Sequence, residues 1–149
     1  MAERASLHPA WTKIGRSSNT AYYQAGDDVL IVLPDAGLKD DETSARENVA
    51  FQVQFAEGLG RRVGLVVNLS SLLSQDSAAR RVYSSLDPRL FRGSALVVRN
   101  PLARAIGSFF MGLSRPKFPA KLVESIDDGI AWFGLAAEHG GPDSRASSA

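Results

Sequence analysis

The sequence predicts an α/β domain, on three observations. Short apolar runs rich in Val, Leu and Ile alternate with stretches in which apolar residues recur every three or four positions. The interior runs are apolar at consecutive positions, as strands covered on both faces are. Most of the boundaries between the two patterns carry Gly, Pro, Asn or Asp. The 149 residues suit one domain. The expected order is β-β-α-β-α-β-α-β-α. It implies a single-domain sandwich with a mostly parallel five-stranded sheet, an antiparallel hairpin at one edge and about four helices. Residues 1–19 are read as an N-terminal extension, 20–138 as the domain and 139–149, rich in Gly and Ser, as a flexible tail.

The first two strands are Thr20–Ala25 and Asp28–Leu33, joined by a Gly26-Asp27 turn. If Thr20–Ala25 is an edge left open, it permits homodimerisation by strand addition. After Pro34–Gly37 breaks the chain, Asp40 or Asp41 can cap a helix with Glu42 in its first turn. Its apolar stripe is Ala45, Val49, Val53, Ala56 and Leu59, and Gly58 and Gly60 end it. Val63–Leu69 is a covered strand. A second helix starts near Ser74–Asp76 and stops at Asp87-Pro88. Ser94–Val98 is a further buried strand. Asn100-Pro101 then combines a capping side chain with proline at the first helical position. Leu102, Ala105, Ile106, Phe109, Phe110 and Leu113 continue with clean helical spacing. A proline-marked arm over 114–120 leads to a brief strand, Lys121–Glu124. Ser125 with Asp128 opens a last helix along Ile126, Ile130, Phe133 and Ala137.

Composition excludes more than it includes. With no cysteine there is no disulfide, thiolate metal site or cysteine nucleophile. The two histidines, His8 and His139, lie near the ends, which disfavours a Ser-His-Asp triad. Gly58-Leu59-Gly60 leads from helix into strand, the reverse of a dinucleotide fingerprint. Gly107 and Gly112 have P-loop spacing, but Leu113 stands where the lysine belongs. No cofactor, no metal and no enzymatic activity are therefore expected. The start of the chain has no apolar core of a secretory signal, and no apolar run approaches the ~20 residues of a membrane helix, so a cytoplasmic protein is expected.

Net charge is +1, but the charge is segregated along the chain. Asp27–Glu47 holds seven acids and two bases, whereas Pro88–Val123 holds seven bases and no acid. A basic segment can meet an anionic partner. Without aromatic stacking motifs, though, a nucleic acid is not the expected one.

Two stretches carry a family resemblance. Val66-Val67-Asn68-Leu69-Ser70-Ser71-Leu72, followed by Gln75-Asp76-Ser77-Ala78-Ala79, resembles the strand, loop and helix start of STAS domains. That is the fold of the anti-sigma-factor antagonist SpoIIAA, in which a serine at the helix start accepts a phosphate from an anti-sigma kinase. Arg104–Leu113, Arg115–Pro119 and Ile130–Phe133 look like the C-terminal half of bacterial SpoIIAA-like proteins. Together they cover roughly residues 20–137. Ala78-Ala79 stand where the family has Ser-Gly, and Asn68 where it has aspartate.

The resemblance implies a bacterial signalling adaptor that works by protein–protein contact, with an anti-sigma-type Ser/Thr kinase as partner. Ser77 is then the candidate phospho-acceptor, and Asp76, Arg80 and Arg81 are candidate partner contacts. A phosphate at Ser77 would lie in the first turn of its helix, within reach of both arginines. The competing expectation is that Ser77, with Ser74, only caps the helix, and for Asp76 a helix cap is expected ahead of a partner contact. A second candidate site is an apolar patch of Phe109, Phe110, Met111 and Phe118 with a basic rim of Arg104, Arg115 and Lys117. It suits an alternative function, binding of a lipid or small apolar ligand between the sheet and the helix that starts at Pro101.

Overall fold

The computed structural model describes residues 11–112 and 116–135. His8, Arg115, His139 and the segment expected to form a flexible tail lie outside the described residues. The elements are β1 (Thr12–Arg16), β2 (Thr20–Ala25), β3 (Val29–Pro34), β4 (Leu38–Asp40) and α1 (Glu42–Leu59). They continue with β5 (Val63–Asn68), a 3₁₀ turn (Leu69–Ser71), β6 (Leu72–Gln75) and α2 (Ser77–Ser84). Then follow β7 (Phe91–Val97), α3 (Pro101–Met111), β8 (Ala120–Val123) and α4 (Ile126–Ile130), which runs into a π-helical turn at Ala131–Leu135.

One sheet runs β1-β2-β3-β5-β7-β8. β1, β2 and β3 form an antiparallel meander, and β3, β5, β7 and β8 are mutually parallel. The α/β class holds, with six strands in the main sheet instead of five. The added strand, β1, comes from the segment read as an extension, where Thr12-Lys13-Ile14-Gly15-Arg16 has only one large apolar residue to mark it. Its pairing also means that Thr20–Ala25 is an interior strand and not the expected edge, so it offers no open edge for strand addition. A second, two-stranded parallel sheet joins β4 to β6. Neither strand is marked in the sequence, because three or four residues are too few for a period to show.

The central strands are buried on both faces: β3 is Val-Leu-Ile-Val-Leu-Pro, the apolar run such burial requires, and β7 is buried throughout although it carries Arg92 and Ser94. On one face Tyr22, Leu30, Val32 and Leu65 pack beneath α1, and Leu96 and Val98 pack beneath α3. On the other, Ile31, Val66, Ala95 and Val97 pack against Phe133 and the α4 segment. That rear contact needs glycine. A Cβ on Gly64 would lie 2.7 Å from Phe133 Cδ1, and one on Gly93 would lie 2.9 Å from Phe133 Cε1. Because Gly64 pairs with Gly93 across β5 and β7, the two glycines make one trough for the ring.

Capping follows the expected chemistry. Asp41 accepts from Ser44 N at 2.9 Å, and Ser44 Oγ accepts from Asp41 N at 2.9 Å, a reciprocal capping box. Gly60, in the left-handed region at φ 74°, closes α1. Asn100 Oδ1 accepts from Ala103 N and Ser125 Oγ from Asp128 N.

Candidate functional site

β4 and β6 run side by side directly into α1 and α2. Asp40 pairs with Gln75 in register, so the helix caps that follow, Asp41 and Asp76, also stand together, and Asp76 N donates to Asp40 O at 3.1 Å. Two neighbouring places result: an outer surface at the start of α2, and a cavity beneath it.

At the outer surface, Asp76 is the cap of α2, its carboxylate accepting from Ala79 N at 2.8 Å. The expectation that Ser77 caps this helix is therefore corrected. Ser77 is the first residue inside the helix and is exposed. Arg80 reaches back along the helix to donate to Gln75 O at 2.8 Å, which holds its charge at the same N-terminal turn. Its guanidinium lies 4.3 Å from the Phe109 ring centroid, a cation–π contact that links α2 to α3. Arg81 is exposed.

The expected aromatic cluster is divided. Phe109 and Met111 are exposed, at 39% and 37%. Phe110 and Phe118, each at 7%, are core residues, and Phe118 packs against Phe91 with ring centroids 6.2 Å apart. An exposed patch containing Phe118 is thus corrected, because the arm turns this ring inward. The large apolar side chains exposed among the described residues are Leu73, Leu102, Phe109 and Met111, the last three on α3. Leu102, Ala105 and Phe109 share one face of that helix. Arg104 leaves the expected rim to bond Glu124 Oε2 at 3.2 Å, while Lys117 is exposed. Three of the seven bases in the acid-free segment, Arg89, Arg92 and Arg104, are paired with acids from elsewhere or nearby. Arg92, 9% exposed, bonds Asp28 at 3.0 Å, and Arg89 bonds Asp87 at 2.9 Å.

The cavity lies between the sheet and the α1, α2 and α3 layer and has about 60 Å³ of water-accessible space. Phe110 and Phe118 line it, as the apolar-pocket expectation required, but Phe109 does not. The other wall is polar and was not foreseen. Asn48 and Gln52, both 3% exposed, face inward from α1. Asn48 Oδ1 accepts from the Tyr22 hydroxyl at 2.9 Å and from Ser17 Oγ at 2.8 Å, and its Nδ2 donates to Asn19 Oδ1 at 2.8 Å. Gln52 Nε2 donates to the Tyr22 hydroxyl at 3.3 Å. Asp40, 4% exposed, accepts from Ser44 Oγ and, at 3.0 Å, from Gln75 Nε2. Burial, more than any neighbour, raises the Tyr22 and Tyr83 phenols well above their ordinary range, so both keep their protons; Tyr22 donates to Asn48 Oδ1, and the Tyr83 hydroxyl accepts from Asn48 Nδ2 at 3.4 Å.

A signal for this wall was present in the sequence. Ala45, Asn48, Gln52 and Ala56 fall at helical spacing on the same side of α1, so two amides interrupt its apolar stripe. Among the described residues no cluster of three or more His, Cys, Asp or Glu could hold a metal, and no helix is long and apolar enough to cross a membrane.

The chain is thus an α/β domain with a mixed sheet, a partly polar cavity under its helical layer and an apolar stripe beside the α2 start. It belongs to the family described as a domain of unknown function, DUF7793, whose model matches residues 22–134. No curated protein and no solved structure matches it.

Proposed function

We propose that this domain is a non-enzymatic, cytoplasmic signalling adaptor with a SpoIIAA/STAS-like fold, acting by protein–protein contact at the α2–α3 surface. The observation that carries the reading is the gathering of exposed apolar side chains next to Ser77. Phe109 is tied to α2 through Arg80, and Leu102 and Ala105 extend the same face of α3. The one-directional run of parallel strands, with helices between them, supports the STAS-like architecture. Ser77 is exposed and is not the cap, so its hydroxyl is open to modification. A phosphate there would add nearly two negative charges beside Arg80, at the rim of the apolar face. An anti-sigma-type kinase is the partner that this chemistry and the family resemblance favour.

The test is affinity capture from host lysate with wild type, Ser77→Ala, Ser77→Asp and Phe109→Glu as baits, read by quantitative mass spectrometry. Capture of a kinase-like or sigma-regulatory protein by wild type and Ser77→Ala, with loss in the other two, is the expected result. If all four baits capture the same proteins, the adaptor surface is elsewhere and the switch reading fails.

A further inference from the structure

The cavity is lined in a way that a simple packing gap is not. Leu65, Leu96, Phe110 and Phe118 make an apolar wall, while Asp40, Gln52 and Gln75 belong to the hydrogen-bonded polar wall. Buried polar groups are ordinarily paired. Yet Gln52 and Gln75 each keep a buried side-chain oxygen, Oε1, with no hydrogen-bond partner, and Gln52 is 3% exposed.

Turning either amide over does not relieve this. Gln75 Nε2 donates to Asp40 Oδ2 at 3.0 Å, and a carboxylate only accepts, so a flip would set oxygen against oxygen. Gln52 Nε2 donates to a Tyr22 hydroxyl that already gives its proton to Asn48 Oδ1. Both oxygens therefore remain acceptors without donors. Asp40 adds a third element: its carboxylate is buried, bonded to Ser44 and Gln75, and has no cation partner among the described residues.

We propose that this cavity binds a small primary amine with a short alkyl body, its ammonium at Asp40 and its body against Phe110 and Phe118. An ammonium brings three N–H donors and a positive charge, which the unpartnered acceptors and the unpaired carboxylate call for. The carboxylate is already desolvated, so the incoming cation completes a pair instead of adding an isolated buried charge. About 60 Å³ of water-accessible space, room for roughly four to six waters and well short of the ~150 Å³ that takes a benzene ring, limits the body to a short alkyl chain. The inference is independent of the adaptor reading, because it concerns the cavity and not the surface above it.

The test uses the full chain and three probes of similar shape: propylamine, 1-propanol and propanoate. Binding is read by titration against the amide resonances of isotope-labelled protein. The amine is expected to saturate, to shift resonances of β4, β6 and α1, and to bind at least about tenfold more tightly than the alcohol, with the acid weakest. Asp40→Asn should bring amine and alcohol to similar affinity. Should that variant fail to fold, Gln52→Leu should weaken the amine several-fold. Equal affinity of wild type for amine and alcohol overturns the proposal. So do shifts that map away from the cavity, or a lack of saturable binding at millimolar probe, in which case the polar wall serves ordered water only.

Discussion

The Tyr22 hydroxyl donates to Asn48 Oδ1 at 2.9 Å, and this bond fixes β2 to α1 at the polar wall of the cavity. Asn48 also accepts from Ser17 and donates to Asn19, so a single side chain joins the β1–β2 turn to the first helix. Replacing it by leucine should strand several buried groups at once and cost about 2–4 kcal/mol. Tyr22→Phe removes one bond and should cost about 1 kcal/mol. Urea denaturation of both variants checks the ratio.

The rear face makes a second prediction. Gly64→Ala places a methyl group 2.7 Å from the Phe133 ring, which should cost about 1–3 kcal/mol by overpacking. Phe133→Leu alone should also destabilise, since it leaves the trough partly empty. In the double variant the two costs should be less than additive, because the smaller side chain makes room for the new methyl. A thermal-denaturation cycle measures the coupling.

Alkaline pH should unfold the domain through its buried phenols. Tyr22 and Tyr83 are held protonated by burial, so their folded values lie above the unfolded one, which is about 10. Their contribution to stability is complete below the unfolded value and is lost as pH rises beyond it. Absorbance of tyrosinate during a pH titration should show both ionising together with the loss of secondary structure, and not before it.

The acid side has the opposite sign. Glu47 accepts from the Ser18 hydroxyl at 2.6 Å and from Ser18 N at 2.7 Å, which holds its carboxyl below the usual range. The stabilisation is present above the unfolded value of about 4.3 and disappears as pH falls through the lower, folded one. Glu47→Gln should flatten the stability profile across that window, as followed by chemical denaturation at stepped pH.

The start of α2 separates cap from switch. Asp76→Ala should cost about 1 kcal/mol through loss of the cap. Ser77→Ala should change stability by less than about 0.5 kcal/mol, as an exposed substitution does. Comparable losses in both variants would return Ser77 to a capping role.

The parallel core was legible because the apolar run Val29–Leu33, and Val63–Val67 broken only by Gly64, fit strands covered on both faces and are too short for buried helices. Asn100-Pro101 and Ser125 carried their own start signals. β1 was not legible, since an edge strand needs few apolar residues and Thr12–Arg16 has little beyond Ile14. Spacing allows either Asp40 or Asp41 as the cap of α1, but Asp41 does the capping while Asp40 turns inward. Two adjacent acids cannot be told apart by spacing. The prolines of its arm suggest an exposed Phe118, whereas the ring packs on Phe91, a contact 27 positions away that no local pattern encodes.

The order β1-β2-β3-β5-β7-β8 bears on how the protein is made. Each main-sheet strand joins the edge left by the one before it, and none must be inserted later between two that are already paired. During synthesis, a nascent chain leaving the ribosome could therefore extend its sheet one unit at a time, with α1, α2 and α3 each made before the next main-sheet strand and α4 closing the rear face last. Non-local pairing is what slows β-rich chains and exposes them to aggregation, and this wiring keeps such pairing to successive neighbours.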